Sequence, residues 1–424
     1  MARTGRGVSV SAIYIAGIGM TRLGKFPERS VKDLTREAVN AALDDAGASI
    51  SDLDYAWFAN TRQALLEGQN VIRGQCALRG IGIEGIPIVN IENACASSTT
   101  GLNQAVATLK AGMAEVALVV GAEKMFFPDK KEAMFAAFLG GTDIYAIDEM
   151  RELLKRVGAG VAPPGAVAGE EGLHSFFMDY YAAFARAHMK RFGTRIEHLA
   201  KVAEKNHHHS TMNPLAQYQV EMPADAVLKD KMIAWPLTRA MCAPISDGAA
   251  AAVVCTEAGL ARLGAARARA VRVLAQVLVS GMDRSPDDWA SHLGRRAANL
   301  AYEKAGLGPD DMDVAEVHDA SAFAEILQIE NLGFCAMGAG GETTARGETS
   351  LGGRIPVNTS GGLLSKGHPI AATGLIQLHE LVAQLRGEAG RRQVEGARLA
   401  VAENGGGVIG VEEAAMAVTI LGTS

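Results

Sequence analysis

Large rings are scarce in this chain: aromatic residues make up 5% of its 424 positions, although 48% are hydrophobic. A core with so few rings is filled by Ala, Val, Leu and Gly packed between helices and sheets, which predicts an α/β protein. Cysteines are few and scattered. Cys76, Cys95, Cys242, Cys255 and Cys335 are odd in number and show no CxxC or Cys/His ligand spacing, which argues against a disulfide framework or structural zinc and predicts a reducing compartment. No apolar run approaches the ~18 residues of a membrane span, and the N-terminal MARTGRGVSVSAIYIAG lacks the apolar stretch and cleavage site of a secretory signal. The expectation is a soluble, cytoplasmic protein without membrane contact. The net charge of −6 removes the cationic footprint that nucleic acid requires, so no DNA or RNA partner is expected.

What the chain does contain is an echo of itself. REAVNAALDDAGASISDLDYAWFAN (36–60) and RRAANLAYEKAGLGPDDMDVAEVHD (295–319) align Gly47 with Gly306, Asp52 with Asp311 and Asp54 with Asp313, each pair 259 positions apart. Both read as an amphipathic helix stopped by Ala-Gly, an acidic turn and a short strand. A second echo keeps the order: Thr100-Gly101-Leu102 matches Thr373-Gly374-Leu375 at an offset of 273. Length and duplication together predict two related halves. Each begins with a strand (11–18 and 271–279) and alternates strands with helices, which implies mostly parallel sheets covered on both faces. The boundaries expected are 1–122 and 240–267 for the N-terminal half, 123–239 for an insert, and 268–424 for the C-terminal half. The insert carries FFMDYYAAFARAHMKRFG and is read as a lid over a ligand groove. Its His207, His208 and His209 point in different directions on a helix and are read as a polar helix end, not a metal site.

In VNIENACASSTTGLNQAVATLKAG, an apolar run ends near Asn93 and a helix is predicted just after Cys95. A cysteine at such a corner serves equally as inert filler or as a nucleophile whose thiolate is favoured by a helix N-terminus. The second half supplies a counterpart in NTSGGLLSKGHPIAATGL, where His368 stands between Gly367 and Pro369. That setting suits presentation of an imidazole to a thiol better than packing. By the duplication, the two loops fall at equivalent ends of the two sheets.

These motifs, with KNHHHSTMNP, ISDGAAAAV, VHDASAFAEI and LRGEAGRRQVEGARLAVAENGGG, resemble the thiolase superfamily over nearly the full length, most closely its sterol-carrier-protein-type members. The resemblance implies a five-layered αβαβα fold of duplicated βαβαβ halves with an inserted loop domain, a homodimer, and a pantetheine channel under the insert. It makes Cys95 the nucleophile, His368 its activator, and His318 a donor to the thioester oxygen. Gly405 would give a backbone N–H to the oxyanion hole shared with Cys95, and Met178 would lie near the pantetheine. Such proteins carry a second acid/base cysteine; here Glu403 and Ala320 occupy the two places where it occurs. A carboxyl raised toward neutrality by burial moves protons equally well, so Glu403 is expected to substitute.

The activity so implied is cleavage or formation of a 3-oxoacyl-CoA through an acyl-cysteine, with coenzyme A as substrate and no metal or redox cofactor. Two rivals are a thiolase-like C–C lyase (retro-aldolase), which needs no nucleophilic cysteine, and a non-catalytic acyl-CoA-binding subunit. Relatives of this type also suggest a small zinc-ribbon/OB-fold partner subunit.

Overall fold

The computed structural model describes residues 12–163, 174–264 and 267–424. Its strands are β1 (Ile13–Met20), β2 (Tyr55–Ala59), β3 (Ile88–Ile91), β4 (Val116–Glu123), β5 (Met232–Ala234), β6 (Leu237–Thr238), β7 (Gly248–Thr256), β8 (Val271–Ser280), β9 (Val314–Glu316), β10 (Leu399–Ile409) and β11 (Glu412–Thr423). IYIAGIGM in β1, VALVVGAE in β4 and GAAAAVVCT in β7 are buried at every position. Runs of this kind mark a sheet covered on both faces.

The order is β3-β2-β4-β7-β1 in the first half and β8-β11-β10-β9 in the second. In repeat-equivalent strands the second order is the first one reversed. Ala56 of β2 pairs in parallel with Ile88, and Ala315, 259 positions later, makes a parallel bridge to Val357; the fifth strand of the second half is reduced to that one bridge. Two residue pairs, Tyr14 with Arg272 and Ile15 with Val271, join the halves along β1 and β8.

The expectation of mostly parallel sheets needs correcting. Only β2–β3, β2–β4 and β9–β10 are parallel, whereas β1–β7, β4–β7, β1–β8, β8–β11 and β10–β11 are antiparallel. In the second half β10 turns directly into β11, a hairpin that must run antiparallel, and in the first half β4 and β7 pair antiparallel across the long insert.

Helix Val31–Ala46 covers the outer face of the first sheet, with its apolar stripe Leu34, Ala38, Val39 and Ala42 fully buried. Helix Leu293–Ala305 does the same for the second. Helices Ser97–Lys110 and Thr373–Leu385 fill the layer between the sheets, sharing one core that includes Leu102, Val106, Leu375 and Leu378. The result is the αβαβα sandwich. The chain leaves the sheet after Glu123 and re-enters it at Gly248. Between them, helices Phe176–Phe192 and Ile196–Ser210 share a core with Phe323, Trp289 and Val411 of the C-terminal half. Tyr180 Oη donates to the Val411 carbonyl at 3.1 Å, and Asn206 Nδ2 to Asp319 and Glu325 at 2.7 and 2.8 Å. The insert is a packed roof, not a detached flap.

Candidate active site

The nucleophile turn is a short 3₁₀ step, Ala94–Ala96, leading into helix Ser97–Lys110. Ala94 adopts φ 48°, a left-handed conformation that costs a non-glycine residue of order 1 kcal/mol. The turn is held from both sides: Asn93 N–H donates to Ser97 Oγ at 2.8 Å, and Ser97 Oγ donates to the Ala94 carbonyl at 2.6 Å. Gly406 of β10 lies against it so closely that a Cβ there would stand 2.3 Å from the Asn93 carbonyl oxygen. Gly407 follows at φ 62° and directs its N–H at the Cys95 sulfur, lowering the thiol pKa.

His368 is presented by a loop that begins with a π-helical turn, Gly362–Lys366. Lys366 Nζ fixes that turn to Glu316 and Ser360 at 3.1 and 2.7 Å, and Asp319 accepts the Leu363 N–H at 2.6 Å. Gly367 has φ 122°, and a Cβ there would meet Ser246 Oγ at 2.8 Å. The same hydroxyl accepts the His368 backbone N–H at 2.9 Å. With Nδ1 bound to Thr373 Oγ1 at 2.7 Å, the imidazole turns Nε2 toward Cys95 Sγ, 3.4 Å away. The two echoing loops therefore meet, one from each half.

His318 completes the group, its ring edge-on to His368 with centroids 5.1 Å apart. Asn404 accepts from Thr99 Oγ1 at 2.7 Å and donates from Nδ2 to His318 Nδ1 at 3.0 Å. This places the ring proton on Nε2, where it serves as a donor. Ligand atoms of Cys95, His318 and His368 all lie within 4.8 Å of one another.

Burial decides the protonation of this group. It pushes the Cys95 thiol up to about 12, more than offsetting the nearby Arg62 charge and the Gly407 N–H. Burial likewise lowers His318 to about 3 and His368 well below its ordinary value, with His318 and Arg62 adding to the effect on His368. The thiolate expected at a helix N-terminus is thus not the resting form. The free site holds a neutral thiol against a neutral imidazole.

Cys95, His318, His368, Gly405, Gly406, Gly407 and Met178 line one cavity of about 650 Å³, roofed by Phe138, Phe177 and Tyr181 of the insert. His207 also lines it, with Nδ1 bound to Ser365 Oγ at 3.1 Å. His208 binds Glu221, and His209 binds the Asn358 carbonyl, so the three histidines serve three separate partners. Glu403 stands apart from the other candidate residues. It is fully buried, it does not line the cavity, and its Oε2 accepts the His318 backbone N–H at 2.9 Å. Burial, Glu413 and Asp319 hold its carboxyl well above the usual range.

Two of the cavity residues escaped sequence reasoning, whereas Tyr181 lies in the aromatic run read as the lid. Arg62 is held by its backbone N–H to Glu123 at 2.9 Å; its guanidinium donates to the Ala137 carbonyl, lies 5.1 Å from the Phe138 ring centre and makes no ion pair among the described residues. Glu413 had a signal, the acidic pair Glu412-Glu413 opening the otherwise apolar β11.

A duplicated α/β sandwich that sets a cysteine of one half against a histidine of the other defines a thiolase-fold protein with a cysteine–histidine site. Residues 13–234 match the family of thiolase N-terminal domains, and residues 278–423 the thiolase C-terminal domain-like family. The chain belongs to the thiolase family. It is 38% identical to sterol carrier protein 2 of Homo sapiens over 94% of this chain and 71% of that protein. With an acetyl-CoA acetyltransferase of Methanothermobacter thermautotrophicus it shares 35% identity, over 94% of this chain and 97% of the other. Among solved structures it resembles an Ltp2-ChsH2(DUF35) aldolase (TM-score 0.74, 25% identity, 97% and 98% of the two chains). It has the fold of human mitochondrial 3-ketoacyl-CoA thiolase, solved with CoA (TM-score 0.69, 16% identity, 98% of each chain). Among the described residues no helix is long and apolar enough to cross a membrane.

Proposed function

We propose that this protein is a coenzyme A-dependent acyltransferase that cleaves or forms a 3-oxoacyl-CoA through an acyl group carried on Cys95. The observation that carries this reading is the 3.4 Å contact between Cys95 Sγ and His368 Nε2 inside the cavity. A thiol held at that distance from a neutral imidazole is deprotonated as it attacks a carbonyl. His318, with its proton on Nε2, donates to the developing oxygen together with His368 once that ring is protonated. The glycine turn supplies backbone donors for the acyl-cysteine carbonyl, Gly405 by family resemblance and Gly407 by its approach to the sulfur. Preorganised donors of this kind are each worth about 3 kcal/mol of transition-state stabilisation. The cavity of about 650 Å³, which Met178 lines, takes the pantetheine in this reading, and coenzyme A serves as acyl acceptor.

The named relatives support this acyl transfer, and the aldolase neighbour supports the retro-aldol alternative. An intact Cys95–His368 pair favours the first, because a retro-aldol cleavage makes no use of it. A binding subunit without turnover would leave the pair equally idle. A homodimer with a small zinc-ribbon/OB-fold partner is the assembly we propose, on the family resemblance and on the DUF35 protein in the neighbour's title. The test is incubation with a panel of acyl-CoAs followed by mass spectrometry of the Cys95 peptide. Acyl transfer predicts an adduct of the acyl mass that is lost in Cys95→Ala and slowed at least 100-fold in His368→Ala; an unmodified Cys95 across the panel refutes it.

A further inference from the structure

A thiolase-type reaction needs a group to take or give the proton on the α-carbon, and the two cysteines that could do so are Ala320 and Glu403 here. The cavity itself contains another candidate. Glu413, at the start of β11, lines it, yet is only 4% exposed. Its Oε1 accepts from Gln328 Nε2 at 3.3 Å, while Oε2 has no hydrogen-bond partner and stands 3.6 Å from His292 Nε2. The side chain lies over the glycine turn, where a Cβ built on Gly405 would be 3.1 Å from Glu413 Cγ. A buried carboxyl oxygen without a partner, beside the turn that faces the nucleophile, is costly unless a ligand completes it.

We propose that Glu413 is the catalytic acid/base that moves the α-carbon proton in this protein, in place of the missing cysteine. The inference rests on the acyl-cysteine reading. In thiolysis, the Cys95 sulfur forms a bond to the 3-keto carbon as its proton passes to His368. The C2–C3 bond breaks, its electron pair becomes the enolate of the shorter thioester, and the Glu413 proton goes to C2. The coenzyme A thiol then gives its proton to the Glu413 carboxylate as its sulfur takes the acyl group, and His368 returns its proton to Cys95. Every group is restored. Run in reverse, the Glu413 carboxylate removes a proton from C2.

The surroundings suit a group that works in both directions. Burial, with Glu412 on its own strand, raises the Glu413 carboxyl to about 7 against the opposing effects of its own backbone N–H, Arg284 and Gln328. His292 from the preceding helix start, Tyr180 and Tyr181 from the insert and Glu403 from β10 also face it, and burial holds His292, at about 3, in the neutral form. An acid/base is most effective with its pKa near the working pH.

The experiment follows hydrogen exchange at C2 in D2O with the acyl-CoA that labels Cys95, using wild type, Glu413→Gln and Glu403→Gln. Glu413→Gln is expected to lose exchange by at least about 100-fold, while Cys95 adduct formation slows by much less, because the coenzyme A sulfur can leave as a thiolate without the Glu413 proton whereas C2 cannot be deprotonated without a base. Exchange retained in Glu413→Gln, or lost only in Glu403→Gln, overturns the assignment. Absence of any adduct in wild type removes the acyl-cysteine reading instead. Should Glu413→Gln fail to fold, the wild-type pH profile decides: exchange that rises through about pH 7 supports the carboxylate base, and a flat profile from pH 5 to 9 overturns it.

Discussion

At the scale of single residues, the site is governed by desolvation more than by formal charge. Its thiol is pushed up to about 12 and both imidazoles down. Alkylation of Cys95 by iodoacetamide, read on its own peptide, should therefore keep climbing with pH past 9; a plateau near neutrality would mean a resting thiolate–imidazolium pair. Arg62 opposes the rise of the thiol, so Arg62→Met should slow that alkylation further, by about tenfold for each unit that the pKa rises. Asn404 acts through His318. Asn404→Ala removes the bond that fixes the ring proton on Nε2 and should lower kcat by about 10- to 100-fold with little change in KM, the pattern of a lost transition-state donor.

At the scale of elements, Cys95 is positioned by a strand pressing on a turn. Gly406 meets Asn93 and Ala96 backbone atoms at 2.3 and 2.7 Å where a Cβ would go, and neither neighbour is a flexible side chain that could yield. Gly406→Ala should lower stability by about 1–3 kcal/mol and activity by roughly 100-fold, because a displacement near 1 Å at a reacting group carries that penalty. Thermal melts and kcat/KM measured on the same preparation check both; an alanine tolerated without loss would show that the turn relaxes freely. The helix, turn and strand echoes were legible because their punctuation is local: the Ala-Gly stops, the acidic turns and the small residues flanking Cys95 and His368. Strand direction was not, since an alternating pattern is silent on whether the last two strands of each half are joined by a crossover or by a return.

At the scale of the whole molecule, the insert and the C-terminal half are one packed unit whose shared core roofs the cavity. Within it, Glu413 titrates from about 7 when folded, against an ordinary carboxyl value near 4.5 when unfolded. Its neutral form is favoured by the fold, so the stability it contributes is fully present below about pH 4.5 and is lost as pH rises through about 7. Each unit of that shift corresponds to about 1.4 kcal/mol. Glu413→Gln should accordingly gain thermal stability over wild type at pH 8 and show little gain at pH 4.5. An equal difference at both pH values would mean that the carboxyl is not shifted.

The sequence by itself determined the duplication, the family and the two loops that carry Cys95 and His368, because these depend on residue order, on glycines with special backbone needs and on repeated local patterns. Through the family resemblance it also pointed to His318 and Met178, both of which line the cavity. Only the tertiary structure decided which carboxyl reaches the cavity. Glu403 and Glu413 lie on adjacent antiparallel strands, and the left-handed step at Gly407 interrupts the regular pleat between them. Whether a side chain lies under His318 or opens onto the site is set by that kink and by the layers packed around it, neither of which is written in local sequence.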